Sequence, residues 1–484
     1  MQSTEKPITL DTLKYLFHKS ADIRFQNYTF YSQSVVFITC EAMIDSQLLN
    51  EVIVPRVRLV CNYATNGVLE EAVDSYLHIP SLSQPKTRTE LITLLYTGNI
   101  LLYFEDTDML FASDISKKPN RSPEETRLEI PVKGPRDNFI EDVAINIALI
   151  RKRLPTHSLC VEKFELGKRS KTTVALLYFD DIASKETLLK IRQNLQSIDV
   201  DIVFSGELLM ENMGGSTKLF PTSDTTGRPD NAIQSLARGR FVIMMDGVAY
   251  AIVIPVNLFL LLKSPEDNEN TVFFSSFQRL LRTVSLFAGL LLPSFWLALT
   301  TFHQNQIPIQ LLSTVVQANI GLPFPSVFEM LLMLGLFELF REAGLRLPSV
   351  IGSTIGVVGG IIIGDAAIRA GLTSPAMIVI IATSTIASYT LVNQSVVTSI
   401  SILRVFSIIL TGVMGLFGFY LSFFFVLLYL AHIRTFGVPY LNITADLTWN
   451  TLTKTIFRLP ATAYKKRPSM LNPEDQTRRK EEHR

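Results

Sequence analysis

The sequence predicts an α/β cytoplasmic domain of two subdomains, followed by an α-helical multi-pass membrane domain. The first observation is a division in composition. The 484 residues are 48% hydrophobic, yet the apolar residues are concentrated between about residue 283 and residue 433. The second is a pair of similar β-α units in the mixed first half, and the third is a glycine-rich apolar segment in the second half. A soluble half joined to a membrane half accounts for all three.

The predicted boundaries fall where the composition changes. The segment KKPNRSPEE, residues 117–125, is polar and contains prolines, which is typical of a connector. The predicted parts are the first α/β subdomain (1–113), a linker (114–126), the second subdomain (127–262), a juxtamembrane linker and helix (263–282), a transmembrane helical domain (283–433) and a cytoplasmic C-terminal tail (434–484).

Each subdomain contains a short β-branched and aromatic run, then acidic residues, then an amphipathic helix. The first such unit is SVVFITCEAMIDSQLLNEVI, from Ser34, and the second is TVALLYFDDIASKETLLKIRQNL, from Thr173. Asp45 and Ser184 are the expected N-caps of the two helices. Related subdomains and convergent patterning explain this likeness equally well. Later in the chain, Asp246-Gly247 between two apolar runs predicts a β-hairpin.

The membrane half contains several apolar runs of different length. Arg279 and Arg282 precede the first predicted span, residues 284–302, and the positive-inside rule keeps that end in the cytoplasm. Residues 310–322 are too few to cross comfortably, whereas residues 405–430 can cross with some tilt. The basic tail also indicates a cytoplasmic C-terminus, so the number of crossings is expected to be even. Four full crossings plus re-entrant pieces are predicted, and six are the alternative.

Four charged residues lie among large aliphatic side chains after residue 325. Glu329 and Glu338 are nine positions apart and therefore on opposite faces of a helix, while Glu338, Arg341 and Glu342 share a face and can pair. Charged residues at membrane depth are candidate functional residues. The alternative is an interfacial or re-entrant helix whose glutamates reach water or Arg341.

A glycine ladder follows, in the segment LPSVIGSTIGVVGGIIIGDAAIRAGL. Its members are Gly352, Gly356, Gly359, Gly360 and Gly364, which form a stripe of small residues along a helix. Such a stripe allows close approach of another helix in a bilayer. It is interpreted either as a tight contact within one subunit or as a wall facing a pore or a neighbouring subunit, and its place in the chain together with the resemblance described below favours the second. The serine- and threonine-rich run that follows is expected to pack against it.

Asp365 and Arg369 are four positions apart at the end of the ladder, which is the spacing of a helical ion pair. With the four charged residues above, they complete the candidate charge network at membrane depth.

The residue patterns do not indicate an enzyme, a metal site, a cofactor or a nucleic-acid partner. The net charge is +1, and the six histidines show no ligand spacing. The glycines of the first half form no phosphate loop. The N-terminus lacks the apolar core of a secretory signal. The three cysteines are widely spaced and are expected to be buried, reduced thiols: Cys40, Cys61 and Cys160.

Four segments together resemble one known family. They are KGPRDNFIEDVAINIALIRKRL, GRPDNAIQSLARGRFVIMMDG, SSFQRLLR and FELFREAGLRLPSVIGSTIGVVGGIIIGDAAIRAGLTSP. In this order they resemble the A subunits of the nutrient germinant receptors of bacterial endospores. The resemblance covers nearly all of the chain from about residue 133. SPEDNENTVFF departs from the family, because it lacks the aromatic pair that usually follows the Glu-Asp there.

The resemblance implies a multi-pass protein of the spore inner membrane with a two-part cytoplasmic α/β domain. It implies two partners, a transporter-like B subunit that holds the germinant and a lipoprotein C subunit. It also implies a homo-oligomeric ring, expected to be a pentamer, that forms a ligand-gated channel and releases monovalent cations as germination begins. Two other functions stay open: a secondary transporter of a nutrient, and a non-conducting membrane scaffold that recruits partner subunits.

Overall fold

The structure, a computed structural model, describes residues 9–31, 33–64, 69–85, 87–117, 134–214, 219–346, 364–441, 453 and 456–478. The chain forms two compact units. The α/β unit comprises Met1–Thr217, Ser223–Pro255 and Tyr464–Arg484, and the helical unit comprises Lys218–Thr222 and Val256–Ala463. The predicted α/β class of the first half is confirmed, with sheets that are antiparallel.

The first subdomain is built on a four-stranded sheet in which the strands neighbour one another in chain order. The run SVVFITC is apolar at successive positions because both faces of its strand are covered. Val35 and Phe37 contribute to the core on one face, and Val36 and Ile38 to the core on the other. The strands are Ile23–Phe30, Gln33–Cys40, Asn99–Phe104 and Met109–Asp114; the helical segments are Leu10–Phe17, Ser46–Leu48, Leu49–Ile53, Val54–Ala64, Leu69–Tyr76 and Arg88–Tyr96.

The second subdomain contains a five-stranded sheet in which Thr172–Phe179 pairs with strands on both sides. The predicted hairpin at Asp246-Gly247 is confirmed, since Phe241–Met245 and Ala251–Ile254 pair in antiparallel register. Gly247 adopts a φ of +82°, which glycine tolerates without strain. The remaining strands are Leu159–Leu166 and Asp224–Thr226; the helices are Val143–Arg151, Lys185–Gln196, Gly206–Asn212 and Pro229–Leu236.

The two subdomains follow the same order of elements. Each begins with a helix, a β-hairpin and further helices, and ends with a helix that leads into a second hairpin. Both predicted N-caps are confirmed: the Asp45 carboxylate accepts hydrogen bonds from the backbone N–H groups of Gln47 and Leu48, and the Ser184 hydroxyl accepts one from Thr187. The shared order agrees with the interpretation of two related subdomains.

The C-terminal segment is divided differently from the single tail predicted for residues 434–484. Residues up to Ala463 belong to the helical unit, whereas Tyr464 onward belongs to the α/β unit. The Glu474 N–H donates to the carbonyl of Ile182, and the side chain of Leu471 is buried. The sequence-based division missed this because a basic, proline-containing segment carries little helical or strand periodicity.

The helical unit begins at Val256, seven residues before the predicted boundary. Four elements dominate it, and we name them the first long helix (Val272–Leu297), the glutamate helix (Ser326–Arg346), the serine-rich helix (Pro375–Tyr389) and the return hairpin (Gln394–His432). Its shorter elements are Leu258–Leu261, Pro265–Asn268, Ala298–Phe302, Gln304–Gln306, Ile309–Asn319, Arg434–Thr435, Val438–Pro439 and Ala461–Ala463.

Two helical stretches among the described residues are long and apolar enough to cross a membrane: Val272–Phe302 and Gln394–His432. The first begins 12 residues before the predicted span of 284–302, and the second 11 residues before the predicted 405–430. The serine-rich helix is apolar but shorter, with 15 residues.

The return hairpin reverses direction at Gly415. This residue has a φ of 62° and a ψ of −141°, which lie outside the helical region. Beyond it the chain comes back along itself, so closely that a Cβ on Gly418 would collide with the carbonyl of Leu410. Residues 394–414 and 416–432 are therefore two antiparallel helices joined by one glycine, about 31 Å and 25 Å long at 1.5 Å per residue.

The helices of this unit run back and forth between two ends. At one end, Leu286 of the first long helix lies in the same core as Val396 and Leu430 of the return hairpin. At the other end, Phe302 contacts the turn at Gly415. The first half of the return hairpin thus runs parallel to the first long helix, and the second half runs antiparallel to it.

The glutamate helix and the serine-rich helix run opposite to the first long helix. Val327, near the start of the glutamate helix, contacts Gly412, which lies close to the reversal at Gly415. Arg341, near the end of the same helix, contacts Ser401, which is about three helical turns from Gly412. Ser388, near the end of the serine-rich helix, contacts Gly289. These two helices therefore run parallel to each other and to the second half of the return hairpin.

Candidate functional site in the helical unit

Glu329 anchors the start of the serine-rich helix. Its side chain is 1% exposed, and its Oε1 atom accepts hydrogen bonds from the Thr373 hydroxyl at 2.6 Å and the Ser374 N–H at 2.7 Å. Ser374 is itself the N-cap of that helix, and its hydroxyl accepts from the N–H of Met377. A carboxylate near a helix N-terminus is favoured by the helix dipole. Glu329 thus holds two segments of the chain together.

Glu338 belongs to a separate group of polar side chains, the arginine cluster: Glu338, Arg341, Ser384, Ser401 and Arg404. Glu338 forms an ion pair with Arg341, three positions later on the same helix. The pairing expected from their spacing is present in the structure. On the other side of the glutamate, Arg404 Nη2 lies 3.9 Å from Glu338 Oε2. One carboxylate therefore faces two guanidinium groups.

Arg404 links three helices. Its side chain is 1% exposed, its Nη1 donates to the Ser384 hydroxyl at 3.1 Å, and its Nη2 donates to the Ser401 hydroxyl at 3.3 Å. Arg341 donates to the same Ser401 hydroxyl at 3.0 Å. The sequence-based prediction omitted Arg404, because it placed the start of the last span at Val405. The signal available in the sequence was a single arginine within the long run SVVTSISILRVFSIIL.

Asp365 and Arg369 lie outside the arginine cluster. Asp365 and Arg369 form the expected ion pair at 2.8 Å, with side chains that are 57% and 79% exposed. Glu342 lies on the exposed surface of the glutamate helix. Glu329, the pair of Glu338 and Arg341, and the pair of Asp365 and Arg369 thus occupy three separate places.

The glycine ladder falls mostly outside the described residues. This applies to Gly352, Gly356, Gly359 and Gly360, so their predicted role stays a prediction. Gly364 is described and buried, and a Cβ there would lie 3.7 Å from Ile378 Cγ2, an ordinary contact.

Two other glycines provide the close helix contacts. A Cβ on Gly289 would lie 2.6 Å from the Ser388 Oγ, and a Cβ on Gly412 would lie 2.8 Å from Val327 Cγ1. Small residues allow such approach of neighbouring helices in membrane proteins. The serine-rich helix is expected to pack against the ladder, and in the described part of the chain its Ile378 does contact Gly364, the last ladder glycine, although its closer glycine contact is Gly289. Gly289 and Gly412 are isolated in the sequence, so no repeat indicated that they would form close helix contacts.

A chain of buried hydroxyl groups links the first long helix to both halves of the return hairpin. Ser407 Oγ donates to Ser294 Oγ at 3.0 Å and lies 2.7 Å from Ser422 Oγ. All three side chains are fully buried. Single hydroxyls in apolar runs satisfy one another across helices in this way.

The first long helix is joined to the preceding segment through Asp267, a buried aspartate that sequence analysis overlooked. Its carboxylate binds Arg279 Nε at 2.7 Å and Arg282 Nη1 at 3.0 Å. The positive-inside rule uses the charges of Arg279 and Arg282 to place this end of the helix in the cytoplasm. The aspartate offsets one of their two positive charges, which weakens that argument.

The α/β unit contains a buried ion pair between its subdomains. Asp22 of the first binds Arg151 of the second through Oδ2–Nε at 2.9 Å and Oδ1–Nη2 at 3.0 Å, and the Arg151 guanidinium lies 4.1 Å from the Tyr96 ring. Burial acts to lower the pKa of Arg151, but the attraction of Asp22 outweighs it and the pKa is raised. Burial raises the pKa of Tyr96 to about 12. At pH 7 Arg151 is therefore charged and Tyr96 is neutral, and this fits a structural role for both side chains.

The three cysteines are free and buried, as expected. Burial raises the pKa of the Cys61 and Cys160 thiols to about 11, and raises that of Cys40 further. In the described ranges, no three His, Cys, Asp or Glu side chains are grouped so that they could hold a metal ion.

These features define a class of protein: a two-subdomain α/β unit joined to an apolar helical unit with polar and charged groups inside. A family model described as the Bacillus/Clostridium GerA spore germination protein matches residues 11–470. The chain belongs to this family, which confirms the family that the four sequence segments indicated.

Curated relatives match over most of their length. Spore germination protein XA of Bacillus anthracis is 36% identical over 477 residues, 97% of this chain and 96% of that protein. Spore germination protein KA of Bacillus subtilis is 32% identical over 448 residues, 92% of this chain and 82% of that protein. A Bacillus subtilis relative described as the uncharacterized membrane protein YfkQ is 31% identical over 437 residues, 90% of this chain and 85% of that protein.

Among solved structures, the N-terminal domain of the A subunit of the Bacillus megaterium spore germinant receptor GerK3 aligns with a TM-score of 0.40 and 20% identity. The alignment covers 52% of this chain and 96% of that domain.

Proposed function

We propose that this protein is the A subunit of a nutrient germinant receptor in the spore inner membrane. In this proposal several copies, expected to be five, form a ligand-gated channel that releases monovalent cations at the start of germination. The observation that carries it is the distribution of polarity in the helical unit. The hydroxyl chain of Ser294, Ser407 and Ser422 is buried, as are Arg404, Ser384 and Ser401 of the arginine cluster, while large apolar side chains cover much of the outside. Polar groups inside an apolar shell are typical of proteins that move ions through membranes.

The proposed topology has six crossings. The return hairpin supplies two, because each half is close to the roughly 30 Å of a hydrocarbon core. The even number is supported by the α/β unit, which contains both Met1–Thr217 and Tyr464–Arg484. Segments that fold into one compact unit lie on the same side of a membrane. We place that side in the cytoplasm, as the family resemblance implies.

The proposed partners are a transporter-like B subunit, which holds the germinant, and a lipoprotein C subunit. No residue of the α/β unit is proposed as catalytic, and no cofactor is required. In a receptor of this kind, germinant binding must favour the open state over the closed state, and the coupling energy passes between subunits.

The test is cation flux from potassium-loaded liposomes that contain the purified A, B and C subunits. Addition of a defined mixture of amino acids, glucose and inosine is expected to release potassium, and omission of the A subunit to abolish release. Uptake of a labelled nutrient by the A subunit alone would instead identify a secondary transporter. Assembly with the partners but without flux under any condition would identify a non-conducting scaffold.

A further inference from the structure

We propose that the arginine cluster is a latch that sets the resting state of the channel, with Arg404 as its positioning residue. This inference rests on the proposed channel function and names residues that would control opening. The channel proposal uses only the burial of the polar groups in this unit and assigns Arg404 no part in opening.

The first argument is connectivity. Glu338 and Arg341 on the glutamate helix, and Ser401 and Arg404 on the return hairpin, contact one another in a closed ring. From this ring Arg404 also reaches Ser384 on the serine-rich helix. A shift of any of these three helices along its neighbour must therefore change at least one contact of Arg404.

The second argument is incomplete pairing. Within the part of the chain that the structure describes, the Nε atoms of Arg341 and Arg404 are buried without a hydrogen-bond partner. The 3.9 Å between Arg404 and Glu338 is also long for an ion pair. A half-satisfied buried network is costly, because each unpaired polar group loses its hydration without replacement. We therefore infer a second arrangement of the three helices, in which Arg404 forms a shorter ion pair with Glu338.

The third argument is charge. Guanidinium groups stay protonated at every physiological pH, so the two arginines keep their charges in both arrangements. Glu338 is the one carboxylate of the cluster, and its side chain is 35% exposed, so it is not enclosed by packing on every side. The Glu338 carboxylate can therefore pair mainly with Arg341 or mainly with Arg404, and these are the two positions of the latch. A ligand that favours one helix arrangement would shift it.

The test uses spores that carry variants of this chain in place of the original, with potassium release as the readout. Glu338→Gln leaves the two arginines to repel each other, and we expect release without added nutrient together with a dose response shifted to roughly tenfold lower concentrations of nutrient broth. The charge-exchanged double variant Glu338→Arg with Arg404→Glu retains one carboxylate and two guanidiniums. It is expected to return the dose response towards that of the original protein.

The matched control is Asp365→Asn, which removes an exposed ion pair from the same unit and is expected to leave release unchanged. Immunoblots of spore membranes check that each variant is present. If Glu338→Gln fails to accumulate, Arg404→Lys keeps the charge but cannot reach three partners with a planar fork, and is expected to shift the dose response in the same direction.

The latch is overturned if the dose response is unchanged in Glu338→Gln and Arg404→Lys, or if that of the charge-exchanged double variant is no closer to the original than theirs. These outcomes are distinct from failure of the channel proposal, which would abolish nutrient-induced flux through the unmodified protein in liposomes.

Discussion

Ser407 and Ser422 are fifteen positions apart in the chain, yet their hydroxyl oxygens lie 2.7 Å from each other. In one straight helix the same spacing would separate them by about 22 Å. The apolar stretch of 39 residues is therefore a folded-back pair of helices, with the reversal at Gly415. The proposed topology therefore counts two crossings where hydropathy alone counts a single long span.

The hairpin predicts a specific cross-link. The double variant Ser407→Cys with Ser422→Cys is expected to form a disulfide on mild oxidation, since the two side chains already touch. The measurement is the change in gel mobility of a fragment after proteolysis between the two sites. Ser399→Cys with Ser422→Cys is the matched control, because the hairpin keeps these positions apart. Cross-linking in the control but not in the first pair would contradict the fold.

The contact between Gly412 and Val327 predicts a local packing cost. Gly412→Ala places a methyl group 2.8 Å from a β-branched side chain that has little freedom to move, so we expect a loss of roughly 1–3 kcal/mol in the free energy of unfolding. Gly335→Ala is the control, because a Cβ there meets nothing within 4 Å. Thermal unfolding in detergent compares the two, and Val327→Ala should restore the stability of the first variant. Equal melting temperatures for the two alanine variants would contradict the contact.

The buried pair of Asp22 and Arg151 predicts a large stability effect in the α/β unit. Asp22→Asn leaves a buried guanidinium without its counter-charge, so the expected loss is about 3–5 kcal/mol. Lys19→Gln removes the exposed pair of Lys19 and Asp180, for which the expected loss is below about 1 kcal/mol. Denaturant unfolding of the full chain measures both. Similar losses in the two variants would mean that the buried pair does not hold the subdomains together.

The cysteines predict slow alkylation. With a pKa of about 11, only about one thiol in a thousand is ionised at pH 8, and the thiolate is the reactive form. Iodoacetamide is therefore expected to leave Cys61 and Cys160 unmodified in the native protein and to label them fully in urea. Labelling of either residue under native conditions, read by mass spectrometry, would show that its environment is more open.

The glycine ladder predicts a loss of function. Gly360→Leu puts a large side chain into a stripe expected to face a neighbouring helix or a pore, and should block assembly or potassium release. Gly335→Leu, on an open face of the glutamate helix, is the control. Release equal to that of the unmodified protein in the Gly360 variant would remove the ladder from the mechanism.

Local signals in the sequence predicted the α/β unit well. The caps at Asp45 and Ser184 and the hairpin at Asp246-Gly247 depend on neighbouring residues, which a sequence displays directly. The ion pair of Glu338 and Arg341 was likewise visible from helical spacing.

The remaining parts depend on contacts between distant residues. The predicted span of 405–430 excluded Arg404, which is buried because it has partners on other helices. Asp267 was overlooked for the same reason, since its arginine partners follow 12 and 15 positions later. The reversal at Gly415 is set by one residue with a positive φ inside a continuous apolar run.

The docking of the C-terminal segment onto the α/β unit constrains the order of biosynthesis. Arg467 donates to the carbonyl of Ala237, and Leu471 is buried, more than two hundred residues after the sheets of that unit. A ribosome must therefore deliver the entire helical unit before the first-made unit can be closed. Until then the backbone carbonyls of Ala237 and Ile182, which accept hydrogen bonds from this segment, lack those donors.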